Sequence, residues 1–122
     1  MSEPRVVDKP WGHELIWAHT DRYVGKILHV KAGESLSLQY HEHKDETIMV
    51  VTGKIELEHY AEGQPPQKTV LEPLCPFHIT PLLRHRMVAL EDTDIVEVST
   101  TELDDVVRLE DRYGRTAPPL ER

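Results

Sequence analysis

The stretch QYHEHKDE at positions 39–46 places amide, imidazole and carboxylate side chains within eight residues. In a β-strand, successive side chains alternate between the two faces, so Gln39, His41 and His43 are predicted to project to the same side. Glu46 returns to that side if the chain bends just before it. Donor sets of this kind suit first-row divalent ions such as Zn, Mn, Co, Ni or Fe, and spacing leaves the choice among them open. The stretch therefore predicts a metal site on a β-scaffold.

The rest of the chain shows short apolar runs that are separated by residues typical of turns, with no sustained helical period. Only the segment from Glu102 to Arg108 is a candidate helix. Eight short strands are predicted, namely Tyr23–Val30, Leu36–His41, Thr47–Val51, Ile55–Tyr60, Lys68–Leu71, Phe77–Ile79, Arg86–Leu90 and Ile95–Thr100. This pattern predicts an all-β fold, an antiparallel sandwich or barrel, for which the jelly roll is the commonest arrangement at this size.

Length and composition restrict the class of protein. A chain of 122 residues with 39% hydrophobic residues predicts a single globular domain over 1–122, with a core at about 10–115 and an irregular tail at 116–122. The net charge of −8 disfavours a nucleic-acid surface, because binding to phosphate backbones requires clustered positive charge. The net charge does not exclude a small anionic substrate, because a few basic residues in a pocket act at short range.

The sequence contains neither a predicted membrane span nor an apolar segment after the N-terminus that would resemble a secretory signal. We therefore expect a cytoplasmic protein without membrane association. Cys75 is the single cysteine, which excludes an internal disulfide and agrees with a reducing compartment. We expect Cys75 to be a buried, inert thiol, because no motif places a base beside it.

A second group of chemically active residues lies at positions 77–86, FHITPLLRHR. A strand that ends at a proline-containing turn, followed directly by His85, is a way for a small β-barrel to return a further ligand to the metal. Together with Gln39, His41 and Glu46, His85 completes a four-ligand set. An octahedral ion would then keep one or two positions for water or substrate.

These residues resemble the two cupin motifs. The first is matched by the spacing from Gly33 to Gly53, with Gln39 where most cupins have a histidine, and the second by Thr80–His85, with Leu82 where glycine is usual. The finer resemblance is to the type II phosphomannose isomerase subgroup. It rests on motifs spread from Pro10 to Arg115, namely Pro10-Trp11-Gly12, Gly33–Glu46, Val50–Gly53, His85-Arg86 and Glu110–Arg115.

The resemblance implies a cupin jelly-roll barrel and a metal-dependent aldose–ketose isomerase that acts on a hexose 6-phosphate. It implies Gln39, His41, Glu46 and His85 as ligands of a divalent metal ion. A divalent ion suits this chemistry, because it polarises the carbonyl and hydroxyl groups between which the proton moves. Cupins of this size often pair through their outer sheets, so we expect a homodimer.

Further roles follow for residues near the motifs. His43 is the predicted general base or substrate-orienting residue, because imidazole titrates near the working pH. Lys26 and Arg86 are predicted to hold the phosphate group, and Arg112 and Arg115 are further candidates for this role.

Two other functions remain open at this point. A cupin dioxygenase would hold a redox metal with positions for O₂ and an organic substrate, although Gln39 favours the isomerase, because an amide donates less to iron than imidazole does. A non-catalytic metabolite-binding cupin is favoured by Ile27 and Ile48, which stand where the resembling family has a basic residue and tryptophan. These two departures are expected to remove polarity from the pocket.

Overall fold

The computed structural model describes residues 3–61 and 63–116, so all but the first residue of the predicted tail at 116–122 lies outside the described residues. The described residues form eleven β-strands and no helix, and they therefore contain no helix that could cross a membrane. The strands are β1 Arg5–Lys9, β2 Gly12–His19, β3 Val24–Val30, β4 Leu38–Tyr40, β5 Glu46–Thr52, β6 Ile55–Tyr60, β7 Gln67–Leu71, β8 Pro76–Ile79, β9 Arg84–Ala89, β10 Thr93–Ser99 and β11 Val107–Glu110.

The strands form two antiparallel sheets. The larger sheet has the order β1-β2-β3-β10-β5-β8, and the smaller has the order β11-β4-β9-β6-β7. Without β1, β2 and β11, four strands remain in each sheet, and their order is that of a jelly roll. The predicted all-β jelly-roll fold is confirmed. All eight predicted strands are present, Ile55–Tyr60 with the predicted ends and the other seven with shifted ends.

Three strands were not predicted. β1 and β2 form a hairpin that extends the larger sheet at β3, but their mixture of charged and apolar residues obscures the alternation that marks a strand. The expectation of a helix at Glu102–Arg108 is wrong. This segment contains a turn and then enters β11, because β11 gains a hydrogen-bonding partner in the otherwise free edge of β4.

The core lies between the two sheets and follows from strand alternation. Isoleucines at 48, 55, 79 and 95 and Leu57 have no exposed surface, and burial of each such side chain stabilises the fold by about 1.5–3 kcal/mol. Trp11 is buried against this core. The residue after it, Gly12, has φ 152°, and a Cβ atom there would lie 1.9 Å from the carbonyl oxygen of His29. Only glycine fits this position without displacing backbone, which accounts for the Trp-Gly pair.

At one end of the barrel the inward-facing positions change from apolar to polar. Lys26 of β3, Glu46 of β5, His85 of β9 and Glu97 of β10 each occupy a buried position on the same face as the apolar core residues of their strands. Buried charges need partners, so this end of the barrel is where a functional site is expected. By contrast, Cys75 is exposed, and the expectation that its thiol is buried is wrong.

Candidate metal centre

Three residues from different parts of the chain meet at the polar end of the barrel. His41 follows β4, Glu46 begins β5 and His85 lies in β9, and all three are buried. One ligand atom from each lies within 4.8 Å of the other two. The fold therefore brings together three of the four residues that the motifs indicated as ligands.

Hydrogen bonds orient both imidazole rings. His41 Nδ1 lies 2.6 Å from the carbonyl oxygen of Asp105, and His85 Nδ1 lies 2.9 Å from that of Leu83. A carbonyl oxygen only accepts, so each Nδ1 carries the proton and donates. The Nε2 atoms are then left with their lone pairs toward Glu46. This arrangement is typical of metal-binding histidines, whose other ring nitrogen donates to a carbonyl or carboxylate.

The three atoms that converge have no hydrogen-bond partner among the described residues. His41 Nε2 lies 2.7 Å from Glu46 Oε2, but the geometry does not make a hydrogen bond, and His85 Nε2 is also unpartnered. Buried polar atoms without partners are rare, because each costs about 1–3 kcal/mol. A divalent cation between them would satisfy all three, so the residues fit a metal ion.

The protonation states also suit a cation. Burial alone would raise the pKa of the Glu46 carboxyl, but a proton on His41 Nε2 and the charge of Lys44 outweigh this effect and lower its pKa to about 2. A cation at the centre would take the place of that proton. Burial lowers the pKa of His85. At neutral pH the centre therefore offers an ionised carboxylate and a neutral imidazole, a donor set that several first-row divalent ions accept.

Gln39, the fourth expected ligand, stands beside this cluster. The register pairs Gln39 of β4 with His85 of β9, so the two side chains share a face, and Gln39 lines the same pocket as His41 and Glu46. Its Oε1 accepts a hydrogen bond of 2.6 Å from the hydroxyl of Ser37. A role of Gln39 as a ligand stays a prediction.

A cavity of about 270 Å³ opens above the cluster. Its wall includes Trp11 and apolar residues of β3, β9 and the segment before β11. The cavity is also lined by six cationic side chains, which are Arg5, Lys9, Lys26, Lys44, Arg108 and Arg115. Five acidic side chains also line it, which are Glu14, Glu46, Glu97, Asp104 and Asp105, so the two kinds of charge nearly balance in this pocket although the chain as a whole is acidic. Arg108, whose Nε has no hydrogen-bond partner among the described residues, is available to an anionic ligand.

A buried network of charges joins the metal cluster to this pocket, and sequence reasoning missed most of it. Lys44 Nζ lies 3.6 Å from Glu46 and 3.1 Å from Glu97, and Lys26 Nζ lies 3.3 Å from Glu14. The available signal was Glu97 itself, because its alternation with Ile95 puts a carboxyl on the core-facing side of a predicted strand.

Burial and the neighbouring charges alter the pKa values of both Lys44 and Glu97. Burial lowers the pKa of Lys44, but Glu97 and Glu46 outweigh burial, and the net pKa is raised. Burial and the nearby charge of Glu46 raise the pKa of Glu97, despite Lys44 and Lys26. Lys44 is therefore charged at neutral pH, while Glu97 holds its proton more readily than an ordinary glutamate.

Asp105 is a second residue that the sequence did not reveal. Its carboxylate accepts three backbone N–H bonds, of 3.0, 2.7 and 2.9 Å, from Glu42, His43 and Lys44. Burial would raise its pKa, but these three bonds dominate and lower it to about 2. Asp105 thereby holds the turn that leads from His41 to Glu46.

The three predicted catalytic residues occupy different places. Lys26 lines the pocket. His43 is exposed and is not part of the pocket wall, because β4 ends at Tyr40 and strand alternation does not extend to position 43. Arg86 lies on the outer face of the smaller sheet, where it pairs with acidic side chains, since it follows the inward-facing His85.

Of the other residues that were expected at the pocket, some line it and others do not. Arg115 lines the pocket, whereas Arg112 lies on the outer side and donates to the carbonyl oxygen of Gly33. Neither Ile27 nor Ile48 is among the pocket-lining residues. The expectation that they remove pocket polarity is wrong, because Ile27 alternates with the pocket residue Lys26 and Ile48 is fully buried in the core.

Comparisons with known proteins agree with this fold. Solved structures with similar folds include KdgF from Halomonas sp., with a TM-score of 0.70, 27% identity, and coverage of 82% of this chain and 90% of that chain. Oxalate decarboxylase from Bacillus subtilis has a TM-score of 0.75 at 12% identity, over 88% of this chain and 30% of that chain. These neighbours are cupins, and the chain has the cupin jelly-roll fold.

Sequence relatives are longer proteins. The mannose-1-phosphate guanylyltransferase of Escherichia coli (strain K12) is 35% identical over 113 residues, which are 91% of this chain and 23% of the relative. The alginate biosynthesis protein AlgA of Pseudomonas putida is 35% identical over 119 residues, 95% of this chain and 24% of the relative. The chain thus spans about a quarter of the length of these relatives.

The family comparison covers almost the whole chain. A family model described as "Mannose-6-phosphate isomerase C-terminal" matches residues 2–111, which include every residue of the metal cluster and Asp105. The chain belongs to the mannose-6-phosphate isomerase C-terminal family.

Proposed function

We propose that this chain is a metal-dependent sugar-phosphate isomerase, which interconverts an aldose phosphate and a ketose phosphate such as mannose 6-phosphate and fructose 6-phosphate. The observation that carries the proposal is the convergence of three buried, unpartnered donor atoms, from His41, Glu46 and His85, beneath a pocket whose wall includes Arg108 and Arg115. The family's description supports the reaction type. The names of the relatives support a sugar-phosphate substrate, although they describe proteins about four times as long.

The reaction moves a proton between adjacent carbons of the sugar. His41, Glu46 and His85, with Gln39 as the fourth donor, would hold the divalent ion. When bound, such an ion supplies a Lewis acid that polarises a carbonyl oxygen. The protein must then provide a group that accepts and returns the proton, and groups that hold the phosphate.

We assign the proton transfer to Glu97 in place of His43. Glu97 lines the pocket, and its Oε2 lies 3.1 Å from Lys44 Nζ, whereas His43 is exposed outside the pocket. The raised pKa of Glu97 brings the carboxyl closer to the pH at which an acid–base group works best. Lys44 remains charged beside it and stabilises the ionised form of the carboxyl.

We assign the phosphate group to Arg108 and Arg115. Both line the pocket, and Arg108 faces inward from β11, opposite Gln39. Its Nε is buried without a hydrogen-bond partner in the described ranges, and burial and the neighbouring charge of Arg115 lower its pKa. A phosphate dianion would supply the missing partner of Arg108 and offset its repulsion with Arg115, whose guanidinium also bonds to Asp111.

The test is a coupled assay of the chelator-treated protein after separate reloading with Zn, Mn, Co, Ni and Fe, under anaerobic conditions. We expect turnover of mannose 6-phosphate that depends on the metal, and loss of bound metal and of turnover in His41→Ala and His85→Ala. His78→Ala, which changes an exposed histidine, is the matched control. Retained metal without turnover by any reloaded sample would overturn the isomerase and leave a metal-dependent binding function.

We keep two further expectations as proposals, namely a cytoplasmic location and a homodimer. The single cysteine agrees with a reducing compartment. Sedimentation velocity of the intact chain tests the homodimer, and a monomer at micromolar concentration would contradict it.

A further inference from the structure

A groove of about 500 Å³ lies on the outer face of the smaller sheet, away from the metal pocket. Its walls are formed by Tyr40 of β4, Tyr60 of β6 and Arg84 of β9, with Leu82 at its edge and the turn that contains Gly63 at its end. These residues alternate with ones that face inward. The groove and the metal pocket are therefore on opposite faces of the same three strands.

The strand register places Tyr40, Arg84 and Tyr60 in one row across the sheet. Tyr60 is paired directly with Arg84. The pairing of Gln39 with His85 places Tyr40 beside Arg84 on the other side. Residues in register on one face have Cβ atoms about 5 Å apart, so Arg84 lies between two half-buried tyrosines.

Arg84 differs from the next outward-facing arginine of its strand. Arg86 is paired with Glu58 at 3.3 Å and with Glu110 at 2.8 Å. Within residues 3–61 and 63–116, Arg84 forms no ion pair and no stacking contact with an aromatic ring, although the whole chain carries a net charge of −8. Arg84 is thus an exposed guanidinium in a groove, and no described residue occupies its fork of donors, which suits a carboxylate or phosphate.

The edge of the groove carries an unusual leucine. Leu82 is 63% exposed and has φ 72°, a backbone conformation that bulky residues rarely adopt. Its N–H donates to the carbonyl oxygen of His41 at 2.7 Å, and this bond holds the turn in place. The strained turn therefore keeps an apolar side chain at the groove's edge, exposed to solvent.

We propose that this groove is a second binding site, for a pyranose ring that carries a carboxylate or a phosphate. The rings of Tyr40 and Tyr60 and the side chain of Leu82 offer apolar surface to the C–H face of the sugar, and the tyrosine hydroxyls offer hydrogen bonds to its hydroxyls. Arg84 binds the anionic group. This site goes beyond the proposed isomerase and does not depend on its metal centre.

The test is an NMR titration of the ¹⁵N-labelled full chain with four probes: glucuronate, glucose 6-phosphate, methyl glucoside and inorganic phosphate. We expect glucuronate, glucose 6-phosphate or both to shift the signals of Tyr40, Tyr60 and Arg84, with Kd on the order of 1 mM for a ligand of this size. Which of the two binds more tightly identifies the anionic group. The same shifts should persist in His85→Ala, because the groove is separate from the metal pocket.

Variants make the assignment specific. We expect Arg84→Gln and Tyr60→Ala each to weaken binding at least tenfold, Arg84→Lys to weaken it less, and Arg22→Gln, an exposed arginine elsewhere, to leave it unchanged. The proposal would be overturned if methyl glucoside bound as tightly as the anionic sugars, or if affinity were unchanged in Arg84→Gln. It would also be overturned if inorganic phosphate bound as tightly as they do, because the groove would then hold an adventitious ion only. Shifts by every probe that are confined to the metal pocket, or no shifts at all, would also overturn it.

Discussion

The carbonyl oxygen of Asp105 lies 2.6 Å from Nδ1 of His41, while the carboxylate of the same aspartate accepts three backbone N–H bonds from the turn that follows His41. One residue thus sets both the orientation of a metal-facing imidazole and the path of the chain from His41 to Glu46. Asp105 therefore positions the centre without being one of its three converging ligand residues.

Asp105→Ala tests this positioning role. The carboxylate is lost and three N–H groups lose their acceptor, so we expect metal affinity to fall by about 10–100-fold, as for other residues that orient ligands. We also expect the free energy of unfolding to fall by about 2 kcal/mol. Competition with a fluorescent chelator and urea denaturation measure the two effects. Glu42→Ala, which removes an exposed carboxylate from the same turn, should change neither, and an Asp105→Ala protein with full metal affinity would contradict the role.

Glu97→Gln tests the assignment of proton transfer. An amide of the same shape keeps the packing of β10 but cannot exchange a proton, so we expect kcat of the metal-loaded protein to fall by about 10²–10⁴-fold. Metal content measured by mass spectrometry should stay unchanged, because the three ligand atoms are intact. Glu56→Gln, on the outer face of the barrel, is the control. A Glu97→Gln protein with undiminished kcat would return the search to another pocket residue.

Gly12→Ala tests the close approach of the β1–β2 hairpin to β3. The new Cβ atom would lie 1.9 Å from the carbonyl oxygen of His29, so backbone must move, and we expect a loss of about 2–4 kcal/mol. Gly33→Ala is a matched control, because Gly33 also has positive φ but has no atom within 4 Å of a Cβ. Its cost should be limited to the left-handed conformation, about 1 kcal/mol. Thermal unfolding measures both, and equal losses would show that the contact with His29 is unimportant.

The ion pair between Asp111 and Arg115 is expected to stabilise the fold in a way that is lost at acidic pH. Two side-chain bonds from Arg115, of 2.8 and 3.0 Å, and its backbone N–H lower the pKa of the Asp111 carboxyl. A carboxyl whose folded pKa is lowered stabilises the protein fully above its unfolded pKa of about 3.9, and this stabilisation is lost as the pH falls through the lower folded pKa.

Asp111→Asn removes this contribution. We expect the variant to be less stable than the parent by about 1–2 kcal/mol at pH 6–7, and the difference to shrink as the pH falls below about 4. Urea denaturation over this pH range measures the difference. A difference that stays constant down to pH 2 would show that the effect does not come from the ionised carboxylate. Asp21→Asn, at an exposed position, provides the comparison.

Local sequence patterns could reveal only those site residues that lie within a single motif. His41 and Glu46 stand five positions apart in a run dense in donors, and His85 follows a proline-containing turn, so their residue types and spacing already indicated a metal. The same reasoning misplaced His43, because it extended strand alternation beyond the true end of β4 at Tyr40. It misplaced Arg86, because a residue next to His85 in a strand must face the opposite side.

Asp105 was beyond such reasoning, and for Glu97 the local pattern gave only an inward-facing carboxyl, without its partners. Asp105 acts through hydrogen bonds to residues more than 60 positions away, and nothing in its neighbours marks it. Glu97 shares its charge network with Lys44, which lies on a separate turn. The burial that alters their pKa values exists only after two sheets have packed together.

The sequence by itself determined the all-β class, eight of the strands and the residues suited to hold a metal, because alternation, turn residues and donor chemistry act over a few positions. Only the tertiary structure decided which of these residues face one another. It added the edge strands β1 and β11, placed Glu97 and Asp105 at the site, and separated His85 from Arg84 and Arg86. The physical reason is that strand pairing and the packing of the sheets join residues distant in sequence, and local preference does not specify that pairing.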